Sequence, residues 1–327
     1  MTNILSVIVG LLFIVALVQI TRVSELLAKL KGKDVNEVTD QDNTSQGILF
    51  LLIGGGFIVF VIWQMLEWNH LLLPPASSVH GEEIDSLMQF TMGLILIVFF
   101  ILTPILFFFA FKYRGKKGRK AYFYPHNNKL EIIWTVVPTI VLTGVIIYGL
   151  RTWDRAMNVD TSSSTVVEVY SEQFKWTARL SGPDNKLGAT DFRLVDSKNV
   201  LGLNMDDESS LDDKISREVH LVVGKPVLLK FRSKDVIHSA FLPHFRVQMN
   251  CVPGLSTQFA FTPTQTTKEM KLQEGEDFEY VLLCNKICGS AHYNMQMKFI
   301  VETQEEYDEW EASQKKISDK LLTQIKE

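Results

Sequence analysis

Phe278-Glu-Tyr-Val-Leu-Leu283 runs directly into Cys284-Asn-Lys-Ile-Cys288-Gly-Ser-Ala-His292-Tyr-Asn-Met295. The first six residues have the apolar and aromatic content of a strand. The residues after them set two thiols four apart, a histidine four further on and a methionine three beyond that. Thiolate and thioether select soft metals and imidazole accepts them, so the stretch reads as a copper-binding loop at a strand end. A second histidine lies upstream in Ser233-Lys-Asp-Val-Ile-His238-Ser. In a β-sandwich, two loops at one end can meet across such a separation. One cysteine with two histidines and a methionine would suit a mononuclear blue-copper site. Two cysteines on one tight loop can instead bridge two ions, leaving one histidine and one weak ligand for each. Zinc would use the same Cys and His, normally as a closed tetrahedron without methionine. A Cys284–Cys288 disulfide suits an oxidising compartment, but it leaves His292 and Met295 without a role.

Around this loop, Thr165–Tyr170, Glu218–Val223, Val227–Phe231 and Met297–Glu302 are further β-branched and aromatic runs separated by turn residues. No amphipathic helix is expected among them, so residues 164–303 read as a sandwich or Greek-key barrel. Residues 181–216, rich in Gly, Asp, Asn and Ser, read as a long excursion from the sheet. The tail 303–327 reads as a charged helix packed on the domain, with Tyr307, Trp310, Ile317 and Leu321 near one face.

The other half of the 327 residues has a different character. Ile4–Ile20, Gly47–Leu66, Phe90–Phe111 and Ile132–Leu150 are apolar runs close to the roughly 20 residues that cross a bilayer. Pro104 and Pro138 fall inside two of them, which membrane helices tolerate. The first run lacks the basic start of a cleaved signal and is expected to be retained. Arg22, Lys29, Lys31 and Lys33 separate runs one and two. Seven cations (Lys112, Arg114, Lys116, Lys117, Arg119, Lys120 and Lys129) separate runs three and four. The segment between runs two and three has acids only. Basic loops stay in the cytoplasm, which places the N-terminus and residues 151–327 outside. The charge is +1 over residues 1–150 and −5 over the rest. A soluble cytosolic enzyme and a disulfide scaffold are excluded, and an acidic outer half argues against nucleic acid.

With these residues in view, the segment from about Met88 to Thr303 resembles subunit II of cytochrome c oxidase, in the haem–copper oxidase superfamily. Three motifs carry the resemblance: the Cys284-to-Met295 loop with Asp235-Val-Ile-His238-Ser; Leu130-Glu131-Ile-Ile-Trp134-Thr-Val-Val-Pro138; and Val252-Pro253-Gly254 after Phe245-Arg246-Val247. The resemblance implies an α+β membrane protein: four transmembrane helices, then an all-β cupredoxin-like Greek-key sandwich and a C-terminal helix. It divides the chain into a two-helix extension (1–87), a membrane hairpin (88–152), a periplasmic copper domain (153–303) and a charged helix (304–327). It implies a dinuclear copper centre, CuA, bridged by Cys284 and Cys288. His238 and His292 would be terminal ligands, with Met295 and the Lys286 carbonyl as weak ones. It further implies an electron inlet in the bacterial inner membrane. Electrons would arrive from cytochrome c, or a cytochrome c domain of a donor complex, and leave for haem in subunit I. Oxygen is reduced there with proton pumping. Subunit III and membrane lipid are the other expected partners. A membrane-anchored copper carrier is the competing reading.

The sequence departs from the family in three places. Lys286 stands where relatives usually have a Glu that helps hold magnesium, so that site is expected to be altered. Phe174, in Glu172-Gln173-Phe174-Lys175-Trp176, stands where many relatives have the Trp at which electrons enter. Two helices precede the usual hairpin. Glu131 matches a Glu at the mouth of a proton pathway, although an acid there also suits the helix dipole. Asp235 is expected beside the copper, either to steer a basic cytochrome or to form a turn. Trp176 and Cys251 are expected in the core. His244 is expected to face solvent or subunit I, and Tyr293 and Asn294 to flank the site.

Overall fold

The computed structural model describes residues 2–32 and 37–319. Lys33 of the first basic loop and Leu321 of the tail lie outside the described residues. The four apolar runs become helices α1 (Thr2–Leu30), α2 (Asp40–Trp68), α3 (Val79–Lys112) and α4 (Asn128–Met157), all long and apolar enough to cross a membrane. Each outruns its apolar stretch, because a helix satisfies its own backbone polar groups and need not stop where lipid does. At the start of α2, Thr39 Oγ1 accepts from the Asp42 N–H while Asp42 Oδ2 accepts from the Thr39 N–H. This pairing satisfies donors that a helix N-terminus leaves free.

The chain divides into two compact units, residues 1–67 with 95–127 and residues 68–94 with 128–327. In the first, α2 runs against the later part of α3 through small residues. A Cβ at Gly54 would fall 2.3 Å from the Phe107 ring, and one at Gly47 3.1 Å from Phe111. Glycine lets the backbones approach, which is how membrane helices pack where lipid gives no hydrophobic drive between them.

Among its described residues the second unit holds ten strands in two five-stranded sheets. β1 (Thr165–Glu172), β2 (Lys175–Leu180), β3 (Lys214–Ser216), β5 (Val227–Ser233) and β8 (Thr257–Phe261) form one, in the order β3-β2-β1-β5-β8. β4 (Glu218–Val222), β6 (His238–Leu242), β7 (Val247–Cys251), β9 (Tyr280–Cys284) and β10 (Gln296–Glu302) form the other, in the order β4-β10-β9-β6-β7. The pairs β1·β5 and β4·β10 are parallel and the rest antiparallel. β5 shows why the sheets stack: Val227, Leu229 and Phe231 point inward with period two. Across the core they share one cluster with Leu242, Tyr280, Leu282 and Phe299. This is a two-sheet sandwich, as the strand pattern led one to expect, with the cupredoxin-like form that the resemblance implies.

Three sequence expectations need correction. The strand pattern missed β2, β6, β7 and β8, whose polar positions, such as Gln248 and Asn250, interrupt the apolar runs, and the three-residue β3 at the end of the stretch read as an excursion. The helix α6 (Thr267–Glu274) does interrupt the strands. It buries Met270 alone, so no apolar stripe announces it, although Thr266 and Glu269 form a capping box. The expected C-terminal helix is present as α7 (Gln304–Ser313), and among the described residues the chain leaves it at Gln314. Ile317 lies beyond it, packed with Tyr170, Leu201 and Leu203, and is not on a face shared with Tyr307 and Trp310.

The stretch before α3 is stitched into the sandwich. The Ser77 N–H donates to the His244 carbonyl (2.7 Å), the Thr264 N–H to the Ser77 carbonyl (2.9 Å) and Ser78 Oγ to the Phe245 carbonyl (2.7 Å). Arg246 grips Asp85 in a two-pronged ion pair, with Nε and Nη2 each 2.8 Å from a carboxylate oxygen. The Arg246 side chain is 8% exposed and that of Asp85 19%. Removing one partner of such a pair strands the other charge. Asp85→Ala is therefore expected to destabilise the detergent-solubilised protein by about 2 kcal/mol, read as a lowered melting temperature. An unchanged melting temperature would show that the pair holds nothing.

Candidate metal centre

The proposed ligands come from three places at one end of the sandwich. β6 begins at His238, β9 ends at Cys284, and the loop Asn285–Met295 closes on a short 3₁₀ turn at His292–Asn294. His238 is fully buried, Met295 is 1% exposed and Cys288 5%. His238 Nδ1 lies 3.8 Å from Cys284 Sγ, Cys284 Sγ 3.8 Å from Cys288 Sγ, and Cys288 Sγ 3.7 Å from His292 Nδ1. Met295 Sδ is 4.0 Å from Cys288 Sγ, and the Lys286 carbonyl is 3.3 Å from Cys284 Sγ. Each sulfur thus has its own histidine and its own weak donor.

These spacings fit metal. Donors on one ion, with bonds of about 2.0–2.3 Å, stand about 3.5–3.8 Å apart at near-tetrahedral angles. Donor atoms of His238, Cys284 and Cys288 all lie within 4.8 Å of one another. Both cysteines are free, and a 3.8 Å sulfur separation is far from a disulfide bond of about 2.05 Å. Zinc would leave the buried Met295 thioether without a purpose. Burial, and then the Cys284 thiol beside it, push the Cys288 thiol up to about 11. A cation is what would draw both protons off.

Asp235 sits behind His238, with Oδ1 2.9 Å from Nε2. With Nδ1 turned to sulfur, Nε2 carries the proton, so the carboxylate fixes tautomer and ring orientation. Burial would raise the Asp235 carboxyl. The Gln173 N–H, His238 and the Val236 N–H hold it below the usual range instead. On the other side Trp176, 4% exposed, points its indole Nε1 at the Met295 carbonyl (3.4 Å), with its ring 6.0 Å from that of His238. It is a core residue, as expected, and part of the wall of the site.

Phe174 is half-buried, and its ring lies under Gly289. A Cβ there would meet ring carbons at 2.7 Å, and Gly289 has φ +144°, so two constraints require glycine. The Lys286 side chain is exposed, and only its carbonyl turns inward. Glu131 lies in the first turn of α4. Tyr293, expected to pack beside the site, is 88% exposed, and Ile287 beside Cys288 is 86% exposed. Cys251 is fully buried in the core and pairs across the ladder with His238. Sequence reasoning missed Gln173 and Gly289; the only signal for the second was a glycine directly after a cysteine ligand.

With this geometry described, similarity to known proteins can be read. Residues 65–152 match the family "Cytochrome C oxidase subunit II, transmembrane domain", and residues 166–303 match "Cytochrome C oxidase subunit II, periplasmic domain". An alternative cytochrome c oxidase subunit 2 of Bradyrhizobium diazoefficiens is 33% identical over 273 residues, spanning 82% of this chain and 91% of that one. The chain belongs to the cytochrome c oxidase subunit II family. A subunit 2 of Synechocystis is 25% identical over 298 residues, spanning 81% and 82% of the two chains. Among solved structures, the periplasmic domain of a Bradyrhizobium japonicum oxidase subunit II aligns over 46% of this chain and 94% of its own. Its identity is 21% and its TM-score 0.32. The protein is thus a membrane-anchored subunit II with a periplasmic domain. α1 and most of α2 precede the matched region.

His244 is neither free in solvent nor near the ligands. It is half-buried, edge-on to Phe278 and Tyr280 at ring-centroid distances of 5.0 and 5.5 Å. Burial, with Arg246 nearby, pushes its imidazole down to about 4 from an ordinary 6.5. The unfolded imidazole binds a proton between those values that the folded one refuses. Stability from this group is present above pH 6.5 and lost as pH falls toward 4. Asp213, pushed up to about 6 by burial, titrates equally in the wild type and in a His244 variant. In a pH series of thermal melts, His244→Phe should therefore gain on the wild type below pH 6.5, reaching about 3 kcal/mol at pH 4. A difference constant with pH would contradict this.

Proposed function

We propose that this subunit II is the electron inlet of a cytochrome c oxidase, taking electrons one at a time through a CuA centre. The observation that carries the reading is the doubled donor set: two sulfurs 3.8 Å apart, each with its own imidazole nitrogen within 3.8 Å. When bound there, a pair of copper ions would supply a one-electron carrier shared over both metals. Cys284 and Cys288 would bridge, His238 and His292 would terminate the pair, and Met295 and the Lys286 carbonyl would be weak ligands.

The chain's own residues do the rest. His238 at the start of β6, with the buried Cys288 and Met295, sets its donors on a packed scaffold that keeps one geometry whether or not an electron is present. Reorganisation on transfer is then small. The same burial speaks against a copper carrier, which must give its metal up. Phe174, on the turn beside Gly289, is the proposed point of electron entry from cytochrome c or a cytochrome domain of a donor. The lysine at position 286 cannot ligate a cation, so a magnesium site would have to draw on other carboxylates. Glu131, in the first turn of α4, is assigned to the mouth of a proton path into subunit I. The basic loops orient the chain in a bacterial inner membrane, copper domain outward, beside subunits I and III and lipid.

The reading is tested on the complex purified from membranes. Stripping copper from the subunit II site with a thiol-competitive chelator should abolish oxygen uptake driven by reduced cytochrome c while haem is retained. Copper, and not zinc, should restore it. Uptake that survives chelation would refute the assignment.

A further inference from the structure

The turn between β1 and β2 offers no metal donor, yet it touches both ligand-bearing segments. The Gln173 N–H donates to Asp235 Oδ2 (2.7 Å), whose other oxygen holds His238 Nε2 at 2.9 Å. The Gln173 side-chain amide donates to the Cys288 carbonyl. Its Nε2 and the Phe174 ring would lie 2.9 and 2.7 Å from a Cβ at Gly289. One residue therefore reaches toward the His238 side through a carboxylate and toward the Cys288–His292 side directly.

The turn is itself anchored. The Lys234 N–H donates to the Ser171 carbonyl (2.9 Å), and Glu172 is held by Lys234 Nζ and Lys175 Nζ, each at 2.8 Å. Glu172 is 7% exposed, while the two lysines that reach it, Lys175 and Lys234, stand at the surface. Without Gln173, the β6 and β9 segments meet through the Asn285 N–H donating to the Ser239 carbonyl (2.9 Å) and the pairing of Ala240 with Cys284. Those ties position Cys284 against His238. The far end of the loop is tied back by the Cys284 N–H donating to the Met295 carbonyl (3.2 Å) and by Gln296 pairing with Leu283, so Cys288 and His292 lie on the span between two anchored ends, where the Gln173 side chain bonds.

We propose that Gln173 is a positioning residue that splints the two halves of the copper centre, one end on Asp235–His238 and the other on the Cys288 carbonyl. An electron is shared evenly only if the two metal environments match. A strut spanning both halves sets that match. The proposal rests on the dinuclear reading above. Gln173 is itself exposed, but both of its hydrogen bonds go to segments that carry the proposed ligands, which gives it a role at the site distinct from contact with the electron donor.

A strut loses its effect when either end is cut. Gln173→Met keeps the volume and the backbone N–H but removes the side-chain donor. Gln173→Glu sets an acceptor against the Cys288 carbonyl. Asp235→Asn cuts the other end. The copper-loaded full-length chain in detergent is read by metal analysis, electron paramagnetic resonance and redox titration. Both Gln173 variants should retain two coppers. Their hyperfine pattern should pass from two equivalent nuclei to unequal ones, and the midpoint potential should shift. Asp235→Asn should do the same, and adding Gln173→Met to it should shift the potential by much less than the sum of the single effects. Variants with the wild-type hyperfine pattern and potential, or strictly additive shifts, would overturn the splint. A wild-type chain without the signal of two equivalent coppers would instead overturn the dinuclear reading on which it stands.

Discussion

Two sulfur atoms 3.8 Å apart, Cys284 at a strand end and Cys288 buried in the loop that follows, set the terms for everything around them. As thiols they are weak ligands, and burial keeps the Cys288 proton on. As thiolates they are adjacent negative charges in a poorly solvated place, tolerable only when cations lie between and beside them. The two imidazole nitrogens, the thioether and the carbonyl stand where such cations would need their remaining ligands. The sandwich brings the two segments together, because β6 and β9 pair at Ala240 with Cys284, and that register puts His238 over the first thiol.

Much of this was readable in the chain before any fold was known. The run from Cys284 to Met295 gives donor types and spacings, and His238 could be matched to it because a sandwich end collects distant loops. The apolar lengths gave four membrane helices, since a bilayer imposes one requirement that composition alone can meet. The rest was hidden for specific reasons. Gln173 acts through a backbone N–H, which every residue but proline has, and through an amide whose partner lies 115 residues away. The tail misled because Ile317 continues an apolar spacing, but the chain leaves the helix after Ser313 and sends it to a separate cluster. Tyr293 looked like a packing residue by its place between ligands, yet the 3₁₀ turn there rotates it outward. α6 left only its capping box to be read.

Within the second unit the link between membrane helix and copper domain is polar and specific. Arg246 joins Asp85 across 161 residues of sequence, and two adjacent serines stitch the approach to α3 into the sandwich. A short, bonded junction suits the proposed electron inlet, which must hold a fixed distance from its acceptor. The additional helices α1 and α2 follow other rules. On α2, Gly47 and Gly54 take aromatic side chains of α3 into their notches, and large apolar side chains such as Leu12 and Phe13 of α1 and Leu52 and Val59 of α2 stand exposed.

The central claim is that these residues hold two metals and not one. X-ray absorption at the copper edge of the loaded full-length chain tests it most directly. The account requires a copper scatterer near each copper, with sulfur and imidazole nitrogen around both. A copper atom with light-atom neighbours and no second metal, or a loop that takes up zinc in its place, would contradict it.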